Sequence, residues 1–342
     1  MNRNSKAGVL ATMSLALVFL WSCGGGAAPG GQDGTPDEAS STEGAGGEDA
    51  IEPTASAGSV PDQIPLSGTE TEEDWKILLD RIRWAREQGL EDVPIGEAVA
   101  AIGRTFVGEP YVPYTLEVAG ADGPEALVVN LREFDCVTFV ESSLALARTL
   151  HDNGGVDDPE DLRRAYITEL AGLRYRSGII AGYPSRLHYF SEWIEDNGRR
   201  GRLQPVSHLL GGTEDAEEID FMSTHADAYP QLAQPENLAA IRAIEARLAE
   251  APRYPVRQNR IAQFEDEIQT GDVIAATSTV AGLDVAHTGI AIRIDGRLHL
   301  MHAPLVGKSV EISEKSLADR IIGIGGQDGI FVARPQPVAR DR

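Results

Sequence analysis

Apolar positions along this chain keep one period through its first two thirds and another after that. From Thr71, the stretch TEEDWKILLDRIRWAREQGL sets Trp75, Leu79, Ile82 and Ala85 at helical spacing, with Gly89 as a stop. A second helix is predicted over about 94–106, then a turn-rich loop, GEPYVPYTLE, and a short apolar run, ALVVN. The strongest helix covers 136–152, where Val137, Val140, Leu144 and Ala147 form one stripe and Asn153-Gly154-Gly155 ends it. Further helices are predicted at about 157–173, 185–197 and 235–249. The C-terminal third switches to short Val- and Ile-rich runs between Gly, Asp and Pro: GDVIAAT, VAHTGIAIRI, RLHLMHA, KSVEIS and GIFVARP. Helices first and an antiparallel sheet afterwards predict an α+β fold. No linker-like break divides them, so one domain is expected from about 70 to 336.

The N-terminus has a different character. Arg3 and Lys6 precede an apolar stretch from Ala7 to Trp21 that is too short for a membrane span and closes as Leu20-Trp21-Ser22-Cys23. A leucine three residues before a cysteine resembles the bacterial lipoprotein cleavage box. That resemblance implies removal of residues 1–22, lipidation of Cys23 and a membrane anchor. Gly24 stands where an aspartate would mark inner-membrane retention, which favours the outer membrane, facing the periplasm. Residues 23–66 are rich in Gly, Ala, Ser, Pro, Asp and Glu and read as a disordered acidic tether. The formal charge of −23, from 53 acidic and 30 basic residues, argues against a nucleic-acid partner, because phosphate binding needs clustered Lys and Arg.

Composition bears most on the cysteines. There are two, Cys23 and Cys136. With Cys23 lipidated, Cys136 has no disulfide partner within an exported chain. Asp135 stands where an N-cap would, so Cys136 falls at the first helical position. There the helix dipole and backbone N–H groups favour a thiolate. Position alone leaves two readings open: a small buried apolar side chain, or a nucleophile aimed by its helix.

A nucleophilic cysteine needs a base and the base an orienting group. Of His151, His188, His208, His225, His287, His299 and His302, His151 reads as a helix C-terminal cation, and His208 and His225 lie in loop-like stretches. His287 opens one β-run and His302 closes the next, after a turn at Asp295-Gly296, so a hairpin brings the two together. His299 and His302 should point to opposite faces. The more apolar setting of His302 assigns it to the face toward the helices and His299 to the outside. A strand His-x-x-His does not place two ligands on one side, so neither metal nor cofactor is expected.

Phe134-Asp135-Cys136, Gly108-Glu109-Pro110-Tyr111, His287-Thr288-Gly289-Ile290 and His302-Ala303 together resemble the NlpC-type papain-like cysteine hydrolases of the cell wall. The likeness runs from about 98 to 334 through LVVNLREFDCVTFVE, SRLHYFSEWI, GLDVAHTGIA and HLMHA, and is to the N-acetylmuramoyl-L-alanine amidase-like branch. It implies a papain-like fold, Cys136 as nucleophile, His287 as general base and His302 as orienting group. It also implies oxyanion stabilisation by Tyr111 and the Cys136 N–H. Tyr111 precedes Cys136 by 25 residues, a wider spacing than the superfamily's, so Tyr114 is a possible substitute and the insert a substrate wall. Peptidoglycan or a muropeptide would be the substrate, cut between the lactyl group and L-alanine. Two rivals are cleavage between D-glutamate and diaminopimelate, and a non-catalytic lipoprotein that binds peptidoglycan.

RYRSG and SRLHYFSEW hold Arg174, Arg176, Arg186, His188, Tyr189 and Trp193 in a chain poor in basic residues. Arginines that clamp carboxylates and aromatics that cover sugar faces would make this a substrate-binding surface. The alternative is a solvated arginine face over a buried aromatic stripe. FMSTHADAY, residues 221–229, is a further candidate wall.

Overall fold

The computed structural model describes residues 64–152 and 155–338. The readings of a signal peptide, of Cys23 and of most of the tether lie outside the described residues. Ile64 and Leu66 do lie within them. Both pack on the main core, and Leu66 bridges to Leu127 in the ALVVN run, so ordered structure begins upstream of residue 70.

The first helix, α1 (Glu72–Glu87), starts at a capping box: Asp74 accepts the backbone N–H of Thr71 at 2.8 Å and the threonine hydroxyl at 2.8 Å. Its buried stripe runs through Leu78 rather than Leu79, which is half-buried. Helix α2 (Ile95–Arg104) follows, then the long α3 (Cys136–Asp152) and α4 (Pro159–Arg174). The stretch 185–197 is helical only from Phe190, as α5 (Phe190–Arg199). Ahead of it Pro184 sits in a single 3-10 turn and Arg186 is extended, bridged to Tyr175. Short α6 (Phe221–Thr224), α7 (Pro235–Glu250) and, near the C-terminal end, α8 (Leu317–Ile322) complete the described helices.

The described strands form one antiparallel sheet. They are β1 (Leu203–Pro205), β2 (Val256–Arg257), β3 (Val273–Ser278), β4 (Val285–Ile294), β5 (Arg297–His302), β6 (Glu311–Ile312) and β7 (Gln327–Pro335). Their order is β1-β7-β3-β4-β5-β6, with β2 also on β7. KSVEIS contributes only its last part, because Lys308 turns with φ of 62° and Ser309 bridges instead to Pro110. The fold is therefore α+β, as the change of period predicts.

Both faces of this sheet are covered, and that decides where its histidines point. Val273, Ala275, Ile290, Ile292, Met301 and Ala303 share a core with α1 to α5. Ile274, Ala276, Ala291, Leu298 and Leu300 form a second core beneath α8 and the 261–268 segment. Helix α3 is buried nearly all round from Thr138 to His151, polar Glu141, Ser142, Ser143 and Arg148 included. It is the central helix of the domain, not an amphipathic surface one. Gly103 of α2 makes room for this: a Cβ there would stand 2.8 Å from the Met301 methyl and 3.3 Å from the Ser143 hydroxyl.

Candidate active site

Cys136 is the first residue of α3 and is partly exposed. Asp135 caps the helix: its Oδ1 accepts the N–H groups of Val137 at 3.0 Å and Thr138 at 2.7 Å, and the Thr138 hydroxyl accepts the Asp135 N–H at 2.9 Å. Thr115 donates to its Oδ2 at 3.3 Å. The carboxylate next to the thiol is thus turned onto backbone and hydroxyl donors, which leaves the positive end of the helix to act on the sulfur.

Strand β4 is fastened to this helix start. The Thr288 hydroxyl donates to the Cys136 carbonyl at 2.8 Å. Three residues before His287, half-buried Asp284 accepts the N–H of Ser191 in the first turn of α5 at 2.7 Å and its neighbour Val285's N–H at 2.7 Å. Burial raises its carboxyl above the usual range despite these donors. Two helix starts, of α3 and α5, therefore fix the beginning of β4.

His287 and His302 meet as the hairpin predicts, with His287 Nε2 2.8 Å from His302 Nδ1 and the rings edge to face. Both are buried, at 2% and 1% exposure. Burial, reinforced by the Arg320 cation, pushes the His287 imidazole down to about 3. Burial first, then His287 and Arg320, hold His302 well below its ordinary range. Two neutral imidazoles share one proton between these nitrogens.

The orientation expected for the β5 histidines is reversed. By strand alternation His302 lies on the face of Leu298 and Leu300, away from the main helix layer. His299 pairs with Ile292 on the helix-side face and bonds the Ser313 carbonyl at 2.8 Å. Local apolarity cannot select a face when both faces of a sheet are packed.

Tyr111 is half-buried and lies beside the loop that leads into Cys136. It bridges to Phe134, Val112 N–H donates to the Phe134 carbonyl at 3.0 Å, and Phe134 N–H to the Pro110 carbonyl at 2.9 Å. Its own N–H donates to the Lys308 carbonyl at 2.8 Å, which joins the same segment to the β5–β6 loop. Tyr114 sits in a turn with φ of 61° and is exposed.

The arginine and aromatic belt is not a free surface. Arg174 is buried against Glu141 at 2.7 Å and donates to the Val128 carbonyl at 2.7 Å, while the Trp193 indole N–H reaches the same Glu141 at 3.1 Å. Arg176 forks onto Glu192 at 2.7 and 2.9 Å. Buried Arg186 meets Glu117 at 2.7 Å and Glu125 at 3.5 Å. Tyr189 donates to Glu245 at 2.7 Å, and His188 Nε2 lies 2.9 Å from the Tyr183 carbonyl. The FMSTHADAY stretch supplies Phe221 and Met222 to a small third core that includes Tyr189. These residues are internal braces, which corrects their reading as a substrate surface: the acidic residues that pair them lie far apart in sequence, so their pairing was not visible there. Asp284 and Arg320 were not singled out, and Thr288 was read only as part of the His287 motif; all three are ordinary loop, helix and strand residues until the fold brings them to the site. A cavity of about 330 Å³ between α5, β1 and the end of α7 includes none of Cys136, His287 and His302 among its lining residues.

A family model described as AmiA-like, N-acetylmuramoyl-L-alanine amidase-like, matches residues 101–324. Among solved structures, an N-acetylmuramoyl-L-alanine amidase from Bacteroides uniformis is 37% identical, with a TM-score of 0.65 over 71% of this chain and 99% of its own. A Bacteroides fragilis protein with a provisional xylanase name is also 37% identical, with a TM-score of 0.63 over 68% of this chain and 98% of its own. A Legionella pneumophila protein, 19% identical with a TM-score of 0.55, shares the fold over 78% of this chain and 95% of its own. No curated protein matches the sequence. The chain belongs to the AmiA-like, N-acetylmuramoyl-L-alanine amidase-like family.

Proposed function

We propose that this protein is a cysteine-dependent N-acetylmuramoyl-L-alanine amidase of the NlpC-type papain-like kind. Cys136 is its nucleophile, His287 its general base and His302 the group that orients the base. One observation carries the reading. The described thiol at the start of a buried helix has its carbonyl held by Thr288, and the neighbouring His287 is bonded through Nε2 to His302 at 2.8 Å. With Nε2 engaged there, a proton from the thiol goes to Nδ1.

Burial keeps the resting His287 neutral, the form a base requires. Cys136 sulfur attacks the lactyl carbonyl of N-acetylmuramic acid as its proton passes to His287. Protonated His287 then donates to the departing amine of L-alanine, and the C–N bond breaks to leave a thioester. A water deprotonated by His287 attacks the thioester and frees the sugar acid and the thiol. Tyr111, through its pairing with Phe134, and the Cys136 N–H are assigned to the oxyanion. The chain reaches the wall as a lipoprotein anchored through Cys23 in the outer membrane, facing the periplasm.

Purified protein incubated with muropeptides, with products read by mass spectrometry, tests the reading. Free sugar and intact stem peptide are expected. A stem peptide split after D-glutamate identifies an endopeptidase. Binding without turnover identifies an adaptor, and sugar release from xylan alone would support the name carried by the Bacteroides fragilis relative. Radiolabelled fatty acid should enter the wild-type chain and not the Cys23→Ala variant.

A further inference from the structure

The bond between His287 and His302 is ambiguous in a way that matters for the proposed chemistry. Between two neutral imidazoles one nitrogen donates and the other accepts. If His302 Nδ1–H donates, His287 must carry its proton on Nδ1 and cannot take one from a thiol. If His287 Nε2–H donates, His287 Nδ1 is bare and His302 carries its proton on Nε2. The 2.8 Å distance is the same in both. The setting of His302 Nε2 makes the difference.

That nitrogen is buried and takes no hydrogen bond from a described residue, and Glu311 Oε1 lies 3.8 Å from it. Glu311 is the register partner of His302 on β6, so both side chains stand on one face. Gly307, with φ of 109°, lies against the carboxylate: a Cβ there would stand 2.8 Å from Glu311 Oε2. The Glu311 side chain is 44% exposed, and a small inward rotation closes the 3.8 Å gap. The other charged groups acting here are Arg320 of α8, which opposes an imidazolium on either histidine, and Glu314, which acts on Glu311. Burial first, with His287 and Arg320 adding to it, keeps His302 neutral, while Glu311, which when ionised can only accept, selects which of its nitrogens holds the proton.

We propose that Glu311 is a positioning residue that holds the His302 proton on Nε2, so that His302 Nδ1 accepts from His287 and His287 Nδ1 is left basic. The inference rests on the Cys136–His287–His302 reading for its catalytic meaning, but not for its test. In the full-length chain with ¹⁵N-labelled histidine, NMR should report both His287 and His302 protonated at Nε2 and bare at Nδ1. Glu311→Ala should shift the pair to mixed or reversed tautomers, and Glu311→Gln, whose amide oxygen still accepts, should retain the wild-type pattern. On muropeptide, E311A should lower kcat about tenfold, a fraction of the 10²–10⁴ that general acid–base catalysis supplies, with KM little changed, and E311Q should restore it. Circular dichroism checks that both variants fold. Unchanged tautomers in E311A overturn the proposal, whatever happens to the rate. Should the wild type cleave no muropeptide, the amidase reading fails while the NMR result still decides the role of Glu311.

Discussion

In the belt between α4 and α5, Arg174, Arg176 and Arg186 each meet carboxylates of the protein itself, and Trp193 and Tyr189 send their polar atoms to buried glutamates. At the junction of α3, β4 and β5 the nucleophile candidate remains partly exposed and the two histidines are bonded to each other. In sequence the belt could be read as a binding surface or as a solvated arginine face over a buried aromatic stripe. An arginine that already forks onto a buried carboxylate has few donors left for a substrate, so the belt braces the domain, and the proposed reactive groups stand at the junction.

The sharpest test of that division is Cys136→Ala. It should lower kcat on muropeptide by at least about 10³-fold with little change in melting temperature, measured by product release and calorimetry. Arg174→Met should do the reverse. It leaves Glu141 buried and uncompensated, which costs about 3–5 kcal/mol in urea unfolding, while the folded fraction keeps its kcat. The double variant Arg174→Met/Glu141→Leu should recover most of that stability, and a loss no smaller than in the single variant would break the comparison.

Titration gives a third test. The unfolded His287 binds its proton near 6.5 and the folded one near 3, so in that window the unfolded state holds more protons. Stability should therefore be complete above about 6.5 and decline as the pH falls toward 3. His302 and the belt's His188, also held low by burial, add in the same direction. His287→Asn should flatten part of the melting-temperature profile across that window. The smallest effect belongs to Thr288→Val, which removes one hydrogen bond and should lower stability by about 1 kcal/mol. A larger proportional drop in kcat, rescued by Thr288→Ser, would identify this bond as what holds β4 to the Cys136 turn.

Much of the site could be read from local pattern. Asp135 before Cys136 marked a helix start, and a strand–turn–strand spacing brought His287 to His302, because caps and hairpins are set by a few adjacent residues. The face of His302 could not be read in this way, since alternation tells two faces apart only when one is wet. Nor could the fate of Arg174, whose partner Glu141 lies 33 residues away, or that of Thr288, whose bond to Cys136 spans 152 residues.

By itself the sequence determined the α+β class, the position of Cys136 at a capped helix start and the meeting of two strand histidines. Each depends on periodicity or turn chemistry confined to one or two neighbouring elements. The tertiary structure alone decided which charges are consumed by internal partners, that both sheet faces are buried, and that Asp284, Thr288, Arg320 and Glu311 gather around the site. Those outcomes depend on contacts between segments distant along the chain, and such contacts form only when the cores on the two sides of the sheet pack.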